Sequence, residues 1–261
     1  MAEAARLGLA AIGITDHDTV SGNAEALVAG RELGVEVVPG VEVSSEHGPY
    51  TVHLLGYYPE PDAPALAALL AELCAYRNER NPRILARLAE LGCPLSLEDV
   101  AAEAGGEVIG RPHIAAALVR MGYVRSAEVA FERYLGRGAK AYVERRKLPP
   151  AQSIDALLRS RAVPVLAHPG DLGVRSADAA ETVVRDLVEM GLRGIEVYYH
   201  AHNAGQSAEY LRLAKRYGLV VTGGSDFHGA IKPGILMGRG GGRMFVPYPL
   251  LVRLKEERER L

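Results

Sequence analysis

The chain has 261 residues, 48% of them apolar and 24% charged, with a formal net charge of -2 at pH 7; this describes a soluble globular protein of one large α/β domain, or one domain with an insertion, and argues against disorder. The near-neutral balance gives no general attraction to nucleic acid, although basic residues can still line one cleft. No apolar run approaches a membrane span, no leader-like pattern opens the chain, and two cysteines, Cys74 and Cys93, are too few for a disulfide framework, so they read as buried thiols in a cytoplasmic protein.

Short β-branched runs alternate with amphipathic stretches, as in parallel β/α folds. In chain order, Ala10 to Ile14 reads as a strand, Asn23 to Leu33 as a helix, and Val35 to Val38 and Val52 to Leu55 as strands. From Ala63 to Arg145 the alternation stops in favour of a helical composition rich in Ala, Leu, Arg and Glu. This predicts a helical insertion, residues 63–145, in a barrel domain formed by residues 1–62 and 146–261. The alternation resumes with a strand at Val163 to Ala167, a helix at Ala179 to Met190, a strand at Ile195 to Tyr198, a helix at Ala204 to Arg216 and a strand at Leu219 to Thr222. A charged helix, Leu250 to Arg260, closes the pattern. Strands this apolar are expected to be buried and parallel. The glycine-rich run Gly238 to Arg243 has no strand before it and no helix after it, so it reads as a turn and not a nucleotide loop.

Metal-competent residues fall where the strand-like runs end, which is where a β/α barrel builds its site. Thr15-Asp16-His17-Asp18 follows the first, Gly40-Val41-Glu42 the second, and His53 lies within the third. Ala167-His168-Pro169-Gly170, Tyr198 to His202, and Ser225-Asp226-Phe227-His228 follow later ones. Imidazole with carboxylate suits Zn²⁺, Mn²⁺ or Fe²⁺, and the absence of a cysteine pair points to a catalytic rather than a structural site. Simpler uses compete. Thr15, Asp16 and Asp18 fit as caps of the helix beginning near Ser21, His47 reads as an exposed loop residue, and Arg80 and Arg111 read equally as solvated surface. Glu42 and His53 sit in apolar surroundings where burial is costly without a partner. No Gly-x-Ser-x-Gly elbow occurs, so Gly223-Gly224-Ser225-Asp226 reads as the loop presenting Asp226.

Together with Val52-His53-Leu54-Leu55-Gly56, Gly110-Arg111-Pro112-His113, Gly194-Ile195-Glu196-Val197 and Gly224-Ser225-Asp226-Phe227-His228-Gly229, these motifs resemble the polymerase and histidinol phosphatase (PHP) family. Within it, they resemble the small phosphoesterases that include nucleoside 3′,5′-bisphosphate phosphatases and 5′-to-3′ exoribonucleases, over nearly the whole chain. The resemblance implies a distorted (β/α)7 barrel, a helical insertion that covers substrate, and a centre of up to three Mn²⁺, Zn²⁺ or Fe²⁺ ions. It also implies hydrolysis of a phosphomonoester in a nucleoside 3′,5′-bisphosphate or at a short RNA 5′ end. By motif position, His17 and His228 correspond to ligands of one metal and Glu42 and Asp226 to ligands of another, while Glu42 bridges to a third completed by His53 and His168. Arg80, Asn81, Arg111 and His113 correspond to contacts with substrate phosphate or base, and Asp18 and His202 to positions near the substrate. Asp226, His228 and His202 are the expected catalytic side chains, His228 or His202 passing a proton to the leaving oxygen.

The family pattern opens with a strand ending in His-x-His and a following Asp, and nothing before Ala10 supplies it; His200-Ala201-His202 belongs to a different strand end. The expectation is a barrel without its first strand, through a late-assigned start or a truncated chain, with fewer than three metals and self-association over the open edge. Two rival readings follow: a histidinol-phosphate-type phosphatase, and a weakened scaffold that binds metal or nucleotide without turnover.

Overall fold

The computed structural model describes residues 1–104, 108–174, 176–229, 232, 234–242 and 244–261; Arg243, which ends the glycine-rich run, lies outside them. The chain divides into two compact units, Met1–Leu70 with Leu148–Leu261, and Ala71–Lys147.

The first unit carries α1 (Ala2–Arg6), β1 (Ala11–Ile14), α2 (Asn23–Leu33), β2 (Glu36–His47), β3 (Tyr50–Tyr57) and the start of α3 (Pro64–Glu90). The remaining elements of that unit follow the second one in sequence, and its six strands form one sheet in sequential order. The expected uniformly parallel sheet is not what forms. β1–β2, β4 (Val163–Leu166)–β5 (Gly194–Tyr199) and β5–β6 (Val220–Gly224) are parallel, but β3 runs antiparallel to both β2 and β4. The cause is local: His47 pairs with Tyr50, so only Gly48 and Pro49 connect β2 to β3. A two-residue loop can join only antiparallel strands, and Gly48 supplies the positive φ of 57° that such a turn requires. His47 is therefore not an exposed loop residue; it ends β2 and places Nε2 3.0 Å from Asp186 Oδ2.

β1 and β6 are the outermost strands, yet the rings of His17 and His228, just beyond their ends, have centroids 5.9 Å apart. The sheet curls far enough to bring its ends together as a distorted α/β barrel. One apolar cluster joins Val38, Leu55, Tyr57, Val163, Val165 and Ala167 to Leu254 of the last helix, α10 (Tyr248–Glu259). Along β2 and β3 the same faces continue, at the strand period of two, to Glu42 and His53. The helices α7 (Pro150–Arg159), α8 (Ala177–Glu189) and α9 (Ala204–Tyr217) follow the sheet; Leu157 of α7 packs so closely on Gly56 that a Cβ there would lie 2.3 Å from Leu157 Cδ2. α10 begins two residues before the predicted Leu250, with Pro247 at its N-cap, because Pro249 sits in the first turn, where a proline's missing N–H has no helical partner to lose.

The second unit contains α3 from Ala71 onward, α4 (Leu97–Ala104), α5 (Arg111–Arg120) and α6 (Ala127–Ala130), the last running into a π-helical turn at Phe131–Leu135. Its own core includes Ile84, Leu88, Val100, Ile114, Leu118 and Leu135, all fully buried. Among the described residues, no helix is long and apolar enough to cross a membrane.

Candidate functional site

Glu42 is the centre of the first unit's polar cluster. The chain after β1 keeps pairing with β2: Asp18 N–H donates to Glu42 O at 2.8 Å and Glu42 N–H to Asp16 O at 3.0 Å, which sets His17 beside Glu42. His53, on the same hairpin face, brings Nδ1 to 2.7 Å from Glu42 Oε1. His168 follows β4 and brings Nε2 to 3.2 Å from the same oxygen and 3.3 Å from His53 Nδ1, while His17 Nδ1 lies 3.5 Å from Glu42 Oε2. Burial alone would push the Glu42 carboxyl up, but His17 and His53 beside it, with hydrogen bonds from His168 and His53, hold it well below the usual carboxylate range. Burial likewise opposes charge on His168, yet the Glu42 hydrogen bond, aided by Glu196 and Asp171, raises its pKa to about 9.

Donors about 2.1 Å from one tetrahedral ion lie roughly 3.4 Å from each other, so a triangle of two imidazole nitrogens and a carboxylate oxygen at this spacing has the dimensions of a ligand set. His17, Glu42 and His53 also present ligand atoms that all fall within 4.8 Å of one another. The donor chemistry therefore fits a divalent metal.

Asp226 and His228 form the neighbouring group. His228 Nδ1 is 2.7 Å from Asp226 O and 3.3 Å from Asp226 Oδ1, and Lys232 Nζ lies 2.8 Å from Asp226 Oδ2. No motif singled out Lys232. Nor did sequence reasoning give roles to Asp171 or Glu196. Asp171 Oδ2 lies 3.4 Å from His168 Nδ1 and accepts from the Tyr199 hydroxyl at 3.2 Å. Glu196 Oε2 accepts the main-chain N–H of His168 at 2.8 Å, and burial, with Glu42 and Asp226 nearby, raises its pKa to about 8 despite that bond and the His168 charge.

The helix-cap reading of Thr15, Asp16 and Asp18 is corrected: the N-cap of α2 is Gly22 and no side chain caps it. Asp18 is buried, with φ of 57°, and its Oδ1 accepts the Ser44 N–H at 3.1 Å. His202 has both ring nitrogens engaged. Nε2 accepts the Gly170 N–H at 3.1 Å, so the proton is on Nδ1, which donates to Val197 O at 2.9 Å; burial favours this neutral ring by lowering its pKa.

The reading of Arg80 and Arg111 as solvated surface is also corrected. In the second unit, Arg80 is 6% exposed and donates to Asn81 Oδ1 at 2.9 Å, while Asn81 Nδ2 donates to Ile109 O at 3.0 Å. Burial, together with the repulsion of Arg77, Arg145 and Arg111, depresses the Arg80 pKa to about 9. Arg111 donates Nη1 to Leu135 O at 3.0 Å, and its guanidinium carbon lies 5.8 Å from the Phe131 ring centroid and 5.4 Å from that of Tyr142. The π-helical turn presents Leu135 to it. His113 Nδ1 accepts the Gly110 N–H at 3.2 Å, and burial, assisted by Arg77, lowers its pKa.

No family model matches the sequence. A phosphoribosyl 1,2-cyclic phosphate 1,2-diphosphodiesterase from Eggerthella lenta is 36% identical over 87% of this chain and 86% of its own. The chain belongs to the PHP phosphoesterase family. Among other PHP phosphoesterase relatives, a 5′-3′ exoribonuclease from Haemophilus influenzae is 31% identical over 85% of this chain and 80% of its own. A 3′,5′-nucleoside bisphosphate phosphatase from Chromobacterium violaceum is 33% identical over 84% of this chain and 77% of its own. A solved structure from Bifidobacterium adolescentis, assigned as a metal-dependent phosphoesterase, superimposes with a TM-score of 0.86 at 30% identity over 97% of this chain and 87% of its own. This PHP phosphoesterase is thus a metal-dependent hydrolase of phosphoric esters.

Proposed function

We propose that the chain hydrolyses the phosphomonoester of a nucleotide, such as a nucleoside 3′,5′-bisphosphate or a short RNA 5′ end, with divalent Mn²⁺, Zn²⁺ or Fe²⁺ at Glu42. The observation that carries this reading is the convergence of His17, His53 and His168 on one buried carboxylate. In the proposal, Glu42, His53 and His168 hold one ion, and His17, Asp226 and His228 extend the set. Bound metal supplies Lewis acidity toward the phosphoryl oxygens and an attacking water, so no covalent enzyme nucleophile is needed. Asp171 orients the His168 ring, and His228, whose Nδ1 is turned to Asp226 O, keeps Nε2 available to a metal or a leaving oxygen. His202 is better suited to holding the Gly170 turn than to donating a proton, because its Nε2 already accepts. The helical insertion supplies Arg80, Asn81, Arg111 and His113 for anionic substrate groups, and the two free thiols agree with a reducing, cytoplasmic setting.

Metal analysis of protein purified without chelator is expected to give fewer than three transition metals per chain. Lys232 already neutralises Asp226, and the Glu42, His53 and His168 set has the closest donor spacing. Three fully occupied ions would contradict this. A substrate panel should favour nucleoside 3′,5′-bisphosphates over simple sugar phosphates, and Arg111→Ala should weaken substrate affinity about 10- to 100-fold, the worth of a charged hydrogen bond. Preference for histidinol phosphate would reject the nucleotide assignment and leave the barrel intact.

A further inference from the structure

Glu196 has no place in the proposed ligand set, yet it is buried in the middle of β5, 5% exposed, where an untied carboxylate would be costly. It faces Thr222 of β6, and the strand register slips between Glu196 and Tyr198. Such a bulge re-aims the side chains around it. Glu196 Oε2 takes the main-chain N–H of His168 at 2.8 Å, and Oε1 lies 3.0 Å from where a Cβ on Gly224 would stand. The carboxylate thus lies between the ends of β4 and β6, and both segments then turn through unusual backbone: His168 has φ of 25° and Asp226 φ of 51°. A non-glycine residue in that region is strained and persists only where its surroundings hold it.

We propose that Glu196 is a positioning residue for the metal centre: its carboxylate pins the strained His168 backbone so that Nε2 stays aimed at Glu42, and against Gly224 it limits where the Asp226 loop can lie. Asp171 restrains the ring through Nδ1 and the His168 carbonyl through its own N–H at 2.9 Å, and Glu196 holds the other side of the peptide, the His168 N–H. The inference rests on the metal reading of Glu42 and His168 but assigns Glu196 no direct bond to the ion.

The test is Mn²⁺ affinity of the full chain, measured by competition with a chelating dye and accompanied by the thermal midpoint of the metal-free protein. Glu196→Gln keeps an acceptor oxygen and is expected to bind Mn²⁺ within about threefold of wild type, while Glu196→Leu fills the volume without an acceptor and is expected to bind roughly 10- to 100-fold more weakly. Gly224→Ala should also weaken binding, because its new Cβ displaces the carboxylate, and should add nothing on top of Glu196→Leu. A Glu196→Leu protein that binds as wild type overturns the proposal, as does a Gln variant as weak as Leu, which would mean that charge and not the acceptor matters. Should Glu196→Leu fail to fold, unchanged affinity in Gly224→Ala overturns it instead. Wild-type protein that takes no Mn²⁺ sinks the metal reading itself, an outcome distinct from all of these.

Discussion

His168→Ala is expected to empty the metal position proposed for His168, Glu42 and His53 and to lower kcat/KM by about three orders of magnitude or more, the several kcal/mol that a metal supplies to phosphoryl transfer. The fold should change little. His168 lies beyond the end of β4 and outside the apolar cluster of Val163, Val165 and Leu254, and Glu42 keeps His17 and His53 as partners. Metal content and thermal midpoint, measured on the same preparation, separate the two roles open to the residue. A mutant with full metal content and a lowered midpoint would show that His168 is a structural hydrogen-bonding residue.

The second large effect is a pH dependence strongest in the metal-free protein. Folding raises the His168 pKa from 6.5 to about 9, so the proton it holds stabilises the folded chain fully below the unfolded value, and that stability is lost as pH rises through about 9. The size is on the order of 3 kcal/mol. Glu196, raised to about 8, acts in the same direction, its contribution being lost as pH rises from the ordinary carboxylate range through 8. Glu42 is depressed and acts oppositely, losing its contribution only as pH falls through its lowered pKa. Chelator-treated protein should therefore lose thermal stability between pH 6.5 and 9, while metal-loaded protein, in which His168 is already deprotonated, should lose less. A flat profile without metal would show that His168 is not charged beside Glu42.

Glu42, His53 and His168 could be singled out from the sequence because each interrupts or ends an apolar run that has no other use for a charge or an imidazole. Glu196 interrupts such a run too, but a lone carboxylate between Ile195 and Val197 does not reveal that its partner is a main-chain N–H 28 residues away in sequence. The direction of β3 escaped for a different reason. Alternation reads the same along a strand in either direction, and only the two-residue loop Gly48-Pro49 carried the information. In the second unit, motif position marked Arg80 and Arg111; Arg77 lies one turn before Arg80 on the same helix, whereas Arg145, 65 residues on and outside any helix, became visible only when the fold brought its charge close to Arg80.

The β2–β3 hairpin also bears on the order in which the chain assembles. Glu42 and His53 are joined through a local hairpin of the kind that forms in about 1–10 μs, whereas His168 and His228 reach them only after long-range contacts that fold more slowly. Two of the three donors in the most closely spaced set can thus meet early in folding, with an ion able to bridge Glu42 and His53 before the later strands arrive. A cation present during refolding would act on the nascent chain as a template, and its effect would be on the rate of assembly as well as on the stability of the finished barrel.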